Sequence, residues 1–317
     1  MSKASLTLPI STEAGAIYQG DASELIKEVP DHSVSLILSS PPYNIGKSYE
    51  RGMFKSFEDY SEWMDDLVGK LLEKVKPDGH ICWQVGNYVR NGALMPLDYL
   101  FFPMFEKRGC FLRNCIIWRY NFGLHAQRRF SGRYETLLWF SRSEDYSFNL
   151  DPVRVPQLYP GKRHSKSKGD RAGLPSGNPM GKNPSDFWEF DPAVAFDGKP
   201  VWDIPNVKAN HLEKTDHPCQ FPNELADRCI LAMTSENDLV LDPFAGAGTT
   251  VVCAEGRNRV GIGFELDASY AEQANERLSL ARQGLLPIRH SGTGPSQPKS
   301  GERVASVPEE WLVQAAE

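Results

Sequence analysis

Hydrophobic residues follow two spacings along the chain, short continuous runs and longer segments with one apolar side at helical period. A nearly continuous run such as residues 34–38 is typical of a strand buried on both faces of a parallel sheet. Residues 56–75 instead place Tyr60, Met64 and Leu67 on one side of a helix. The same criteria predict further strands at 16–21, 80–85, 114–119, 136–140, 238–241 and 260–264, and further helices at 23–29, 98–107, 222–234, 249–255 and 268–283. The pattern therefore predicts an α/β fold, with a mostly parallel sheet and helices on both of its faces.

Two stretches lack this periodicity. Residues 150–205 are rich in Pro, Gly, Lys and Ser, which predicts an irregular insertion that does not join the sheet. After Gly284 the chain is linker-like, with one short helical pattern at 309–316. These changes divide the chain into residues 1–143, an insertion at 144–210, residues 211–283 and a flexible C-terminal tail at 284–317.

Composition excludes several classes of protein. Hydrophobic residues make up 40% and charged residues 24% of the 317, as in an ordinary globular chain. No run of eighteen apolar residues is present, and the first twelve residues lack the apolar core of a secretory signal. The six cysteines are scattered without a CxxC pair, which predicts buried free thiols in a reducing compartment. We therefore expect a cytoplasmic protein with no membrane partner and no metal site.

Charge is distributed unevenly. The formal net charge is −6, yet residues 107–171 contain fourteen Lys and Arg against five Asp and Glu. A basic segment on an acidic body is what a local phosphate-binding surface requires. A solvated basic loop without a partner accounts for the same pattern equally well.

A glycine-rich turn connects the strand at 238–241 to the helix at 249–255. Gly246 and Gly248 allow a tight turn and a close approach of a ligand to the backbone, beside the free N–H groups of a helix N-terminus. Glu265 ends the next predicted strand, where a carboxylate can accept hydrogen bonds from both hydroxyls of a ribose. Turn and acid together favour a nucleoside cofactor over a purely structural turn.

A second motif, Ser40-Pro41-Pro42-Tyr43, directly follows the strand at 34–38. Prolines cannot donate to a sheet ladder, so the strand ends here, at the edge where open α/β sheets bind ligands. The prolines fix the backbone and aim the Ser40 hydroxyl and the Pro41 carbonyl, while Tyr43 offers a flat face for a base. Taken alone, the motif is more typical of a structural turn after a buried strand.

Read together, the two motifs resemble the DNA amino-methyltransferases that use S-adenosylmethionine, in their permuted beta class. In that class the catalytic tetrad comes first, the target-recognition insertion second, and the cofactor motif last. Residues 17–21, 217–222 and 261–267 resemble three further motifs of the family, in the right order. The resemblance covers residues 16–280 and implies a Rossmann-like methyltransferase fold with circularly permuted motif order, in which 1–143 and 211–283 are the catalytic and cofactor-binding halves.

The resemblance also implies which residues form the sites. The tetrad Ser40, Pro41, Pro42 and Tyr43 is catalytic. The cofactor, S-adenosylmethionine, is expected to contact Asp21, His217, Pro218, Gln220, Pro222, Asp242, Pro243, Phe244, Gly246, Gly248, Thr249, Thr250, Phe264 and Glu265. For double-stranded DNA we expect contacts from Tyr49, Arg51, Arg119, His125, Arg128, Arg129 and Arg133. A partner endonuclease that cuts the same site is implied by the family alone, and the chain acts either as a monomer or as a homodimer.

The expected reaction is methylation of an exocyclic amino group, preferably N4 of cytosine. Ser40 and the Pro41 carbonyl would accept the two amino hydrogens and so free the nitrogen lone pair for attack on the methyl group. The target base must be flipped out of the duplex to reach this site. Neither a covalent intermediate nor a metal is needed.

Several alternatives remain open. Adenine N6 is the nearest, since relatives that act on adenine mostly have Asp in place of Ser40. Methylation of cytosine C5 through Cys219 would leave the tetrad unexplained. RNA or protein-glutamine methyltransferases carry a related tetrad but usually begin it with Asn, and a non-catalytic DNA-binding module would not need the tetrad at all.

Overall fold

An eight-stranded sheet organises the part of the chain that the computed structural model describes, namely residues 11, 14–43, 54, 56–90, 92–120, 125–157, 159–164, 171–188, 215 and 220–287. In chain order the strands are β1 (Ala16–Gln19), β2 (Val34–Ser39), β3 (Val75–Val85), β4 (Asn87–Arg90), β5 (Ala93–Pro96), β6 (Phe111–Arg119), β7 (Tyr134–Ser141), β8 (Phe187–Trp188), β9 (Leu239–Asp242) and β10 (Val260–Glu265). β4 and β5 pair only with each other, and the main sheet has the order β1-β10-β9-β2-β3-β7-β6-β8.

Strand direction divides the sheet into two parts. The strands β1, β10, β9, β2 and β3 are all parallel, whereas β7 is antiparallel to both β3 and β6. β8 adds parallel to the outer side of β6. The prediction of a mostly parallel sheet is confirmed.

Helices cover both faces of the sheet, as predicted. In chain order they are α1 (Ala22–Leu25), which continues as a 3-10 turn (Ile26–Glu28), α2 (Phe57–Lys74), α3 (Leu97–Glu106), α4 (Asn223–Met233), α5 (Thr249–Gly256) and α6 (Ala268–Arg282). β2 shows the two layers most clearly because all six of its residues are buried. Ile37 packs with residues of α2 and α3, whereas Leu36 and Leu38 pack with residues of α4 on the opposite face.

The predicted boundaries agree with the structure within a few residues except at the start of β3. The strand is predicted at 80–85, but β3 begins at Val75, directly after α2 ends at Lys74. Pairing between β2 and β3 then jumps from Val34–Val75 to Leu36–His80, so the Pro77 region bulges from the ladder. None of the helices in the described ranges combines the length and apolar composition needed to cross a bilayer.

The insertion differs from its prediction at one point. Residues 187 and 188 form β8 and pair with Ile117 and Trp118 of β6, so the expectation that the insertion stays out of the sheet is wrong there. A two-residue strand shows no detectable hydrophobic period, and only the open edge of β6 makes it a strand. The remainder of the described insertion is irregular apart from a 3-10 turn (Asp151–Val153) and single bridges at Val155–Lys182 and Arg163–Pro175. The tail beyond residue 287 lies outside the described residues.

The cysteine prediction is correct for most of the described thiols. Cys82, Cys110, Cys229 and Cys253 are buried and free. Cys115 is free but exposed, which corrects the prediction for this residue. It lies on β6, where burial alternates along the strand, and its side chain falls on the outer face.

Candidate active site

The carboxyl ends of the five parallel strands bring the predicted motifs to one edge of the sheet. Asp21 follows β1, Glu265 ends β10, Asp242 ends β9 and Ser40 follows β2. Motifs separated by more than 200 residues in sequence are therefore neighbours. His217, Pro218, Tyr49 and Arg51 lie outside the described residues.

Hydrogen bonds that involve two tyrosine hydroxyls hold the tetrad. The hydroxyl groups of Ser40 and Tyr43 are 3.1 Å apart and share one hydrogen bond. Tyr60, fully buried on α2, donates its hydroxyl to the Pro42 carbonyl at 2.7 Å. Among the described residues, none donates to the carbonyl of Pro41. The tetrad thus offers one carbonyl and one oriented hydroxyl as hydrogen-bond acceptors.

Asp242 connects the tetrad to the glycine-rich turn from inside the protein. Its carboxylate accepts from the Ser39 hydroxyl at 2.5 Å and from the Phe244 N–H at 3.1 Å. Ser39 directly precedes Ser40, so this buried acid fixes the two motifs relative to each other. Burial raises the pKa of Asp242 to about 6, although hydrogen bonds from Ser39, Thr250 and Phe244 oppose the rise.

The raised pKa of Asp242 predicts a pH dependence of stability. Because the folded chain binds the proton more tightly than the unfolded chain, the contribution to stability is complete below pH 3.8 and is lost as the pH rises through about 6. A shift of this size corresponds to about 3 kcal/mol. We expect Asp242→Asn to remove this loss. The free energy of unfolding, measured with urea at pH 4 and at pH 7, should therefore differ less between the two pH values in the variant than in the wild type. Asp66→Asn, at an exposed position, is the control and should behave as the wild type.

The glycine-rich turn has the backbone that its glycines predicted. Gly246 and Gly248 have φ values of 50° and 75°, in the left-handed region that favours glycine. Gly248 is the N-cap of α5, and the Gly246 N–H donates to the Glu265 carboxylate at 2.9 Å. The buried Arg277 of α6 donates to the Ala247 carbonyl and supports the turn from behind.

Glu265 lies against this turn, as its spacing in the sequence predicted. One carboxylate oxygen accepts from Gly246 and the other accepts from the Asp267 N–H at 2.9 Å. Burial raises the pKa of Glu265, and these backbone hydrogen bonds counteract the rise. An ionised carboxylate has about four acceptor positions, so acceptor capacity remains for a ligand hydroxyl.

The remaining predicted cofactor residues divide into those at the surface of the edge and those beneath it. Asp21 caps α1 by accepting from the Ser23 N–H, and the ring of Phe244 is half-buried against Trp63 and Trp83. Six of the predicted cofactor residues are buried beneath the edge, namely Gln220, Pro222, Pro243, Thr249, Thr250 and Phe264. Phe264 is fully buried in the hydrophobic core, so its side chain packs the sheet.

The predicted DNA-binding residues that the structure describes lie at the same edge as the tetrad. β6 ends at Arg119 opposite Tyr134 of β7, and the start of β7 pairs with the carboxyl end of β3. The connection between β6 and β7 therefore projects beside the tetrad. Within it His125, Arg128 and Arg129 are exposed, and Arg133, like Arg119, is half-buried.

Glu135, which belongs to none of the predicted motifs, lies near Tyr43. Both side chains approach Gly86: a methyl group placed there would be 3.2 Å from Tyr43 and 3.5 Å from Glu135. Gln84 donates to the Glu135 carboxylate, and burial raises the pKa of Glu135 to about 7 despite that bond. A lone acid at the start of an apolar strand in a basic segment was the only signal in the sequence.

Known proteins are similar to this chain in sequence and in fold. A family profile described as DNA methylase, covering N6 and N4 enzymes, matches residues 34–276. The type II methyltransferase M.BglII of Bacillus subtilis is 44% identical over 264 residues, which are 83% of this chain and 68% of that protein.

Solved structures show the same fold at lower identity. The cytosine-N4-specific PvuII DNA methyltransferase has a TM-score of 0.61 and 22% identity, over 86% of this chain and 93% of that one. A proposed DNA modification methylase of Thermus thermophilus, complexed with S-adenosyl-L-methionine, has a TM-score of 0.57 and 24% identity, over 89% and 100% of the two chains. With the parallel edge, the tetrad and the glycine-rich turn, these matches show that the chain belongs to the N6/N4 DNA methylase family.

Proposed function

We propose that this DNA methyltransferase methylates N4 of cytosine in double-stranded DNA, at a specific site and with flipping of the target base. The observation that carries the proposal is the pair of hydroxyls at the tetrad, 3.1 Å apart, at the ligand-binding edge of the sheet. The family includes enzymes that act on N6 and on N4, and Ser at position 40 favours cytosine by the resemblance described above.

Hydrogen bonding explains how Ser40 would act. A hydroxyl that donates its hydrogen to one partner keeps its lone pairs for a second. When Ser40 donates to the Tyr43 oxygen, the Ser40 lone pairs can accept one hydrogen of the amino group. The Pro41 carbonyl accepts the other, and both bonds favour a pyramidal nitrogen whose lone pair is free to attack. The ring of Tyr43 stacks on the flipped base.

S-adenosylmethionine is the methyl donor, and when bound it supplies an electrophilic methyl group on a sulfonium. The residues at the edge fit such a molecule. Gly246 and Gly248 present backbone without a Cβ, and Glu265 retains acceptor capacity for a ligand hydroxyl. Asp21 and Phe244 border the same edge and would contact its adenine end.

DNA would be recognised by the insertion and by the basic residues beside the tetrad. Residues 1–143 and 211–283 form the two halves of one methyltransferase domain in this proposal, and residues 144–210 read the target sequence. Arg119, His125, Arg128, Arg129 and Arg133 contact phosphates or guanine edges beside the tetrad. Such an enzyme protects its sites against a cognate restriction endonuclease.

Mass spectrometry of nucleosides tests the proposal directly. DNA is incubated with the protein and isotopically labelled S-adenosylmethionine, then digested and separated. We expect label in N4-methylcytosine. Label in N6-methyladenine would retain the fold, the cofactor and the tetrad but overturn the assignment of the base. Label in neither base would contradict the assigned activity.

A further inference from the structure

Phe130 is unusually exposed for a large apolar side chain. Its relative exposure is 99%, the highest among the exposed large hydrophobic residues of the described chain. It lies in the connection between β6 and β7, which begins beyond Arg119 and returns to the sheet at Tyr134. A ring that is fully exposed buries no surface in the fold, and a single exposed ring is by itself ordinary, so its surroundings decide what it could contact.

Local hydrogen bonds connect the residues on either side of Phe130. The Ala126 N–H donates to the Ser131 hydroxyl at 3.1 Å, and Arg129 donates to the Phe130 carbonyl at 3.2 Å. At the base, the Tyr120 N–H donates to the Arg133 carbonyl at 2.9 Å. These hydrogen bonds brace the described part of the connection from within, and the ring of Phe130 is exposed on it.

The surroundings of Phe130 are cationic. Residues 125–133 contain three arginines and no carboxylate, and Arg128 and Arg129 form no ion pair within the described part of the chain. An apolar protein surface would not complement a single ring among arginines. A DNA duplex complements this combination, because its phosphates pair with the arginines and an aromatic ring can insert between its stacked bases.

The position of the loop defines which part of the duplex it meets. The same edge of the sheet carries Tyr43 and Ser40, to which the target base must come. Extrusion of a base leaves a gap in the stack and costs unpairing and unstacking energy. An aromatic ring that enters the gap restores part of the lost stacking.

We propose that Phe130 inserts into the duplex and occupies the space left by the flipped target base. Arg128 and Arg129 hold the flanking phosphates while the ring is inserted. Phe130 is thus a positioning residue, which acts on the extruded state of the DNA and does not touch the reacting atoms. This inference rests on the proposed function, since only an enzyme that flips its target needs such a ring.

Single-turnover methylation by Phe130→Ala tests the inference with two duplexes that carry the sequence methylated by the wild-type chain. In one duplex the target base is paired, and in the other it lies opposite an abasic site, so that extrusion is already easy. We expect Phe130→Ala to lower the rate about 10- to 100-fold on the paired duplex and less than about threefold on the other. Tyr99→Ala removes a ring that is 78% exposed on α3 and should change neither rate.

Two results would overturn the inference alone, provided that the wild-type chain methylates DNA. One is an unchanged rate of Phe130→Ala on the paired duplex. The other is an equal loss on both duplexes, which would indicate a general defect in binding or folding. Absence of methyl transfer by the wild-type chain would instead overturn the proposed function, and this inference with it.

Discussion

Replacement of Ser40 by Ala is expected to lower the turnover number for methyl transfer to DNA by about 100- to 1000-fold. That is the usual effect of removing one aimed hydrogen-bonding group from a reaction centre. The variant loses an acceptor for the amino group, whereas the Pro41 carbonyl and the stacking surface of Tyr43 remain. Tyr43→Phe should have a smaller effect, because it keeps the ring but removes the hydroxyl that orients Ser40 at 3.1 Å.

Turnover at saturating cofactor and DNA is the measurement, with cofactor affinity determined separately by calorimetry. We expect cofactor affinity to be unchanged within about twofold, since Ser40 contacts the base and not the cofactor. Ser33→Ala is a matched control at the opposite end of β2, where the hydroxyl donates to the Pro30 carbonyl and should not affect turnover. Full turnover of both Ser40→Ala and Tyr43→Ala would show that the reaction occurs elsewhere.

Replacement of Gly261 by Ala is expected to destabilise the fold by about 3 kcal/mol, the upper range for overpacking of a core. A methyl group at this position of β10 would lie 2.8 Å from both Cα and the carbonyl oxygen of Val251 on α5. These are backbone atoms, so the whole helix must move away from the sheet. The movement would also shift the glycine-rich turn, which leads directly into α5.

Urea unfolding of the wild type and two variants measures this effect. Gly256→Ala is the matched control, because a methyl group at this end of α5 meets no atom within 4 Å. Its free energy of unfolding should remain within about 0.5 kcal/mol of the wild type. Equal stability of Gly261→Ala would mean that α5 can move without cost, contrary to the close packing described here.

The sequence by itself determined the parallel core and the location of the motifs. A nearly continuous apolar run such as β2 is typical of a strand between two covered faces, and paired prolines must end it. The glycines at 246 and 248 likewise required a backbone with positive φ, which the structure has. These inferences depend on properties of a few adjacent residues, and such local constraints act before any tertiary contact is formed.

Tertiary structure alone decided how distant side chains meet. The hydrogen bond between Ser39 and Asp242 joins residues 203 positions apart and exists because β2 and β9 are neighbours in the sheet. The approach of Glu135 to Tyr43 depends in the same way on β7 pairing antiparallel with β3. β8 became a strand only because β6 offered it an open edge. Strand order and edge pairing depend on the free energy of the whole folded chain. Hydrophobic periodicity within one segment carries no information about them.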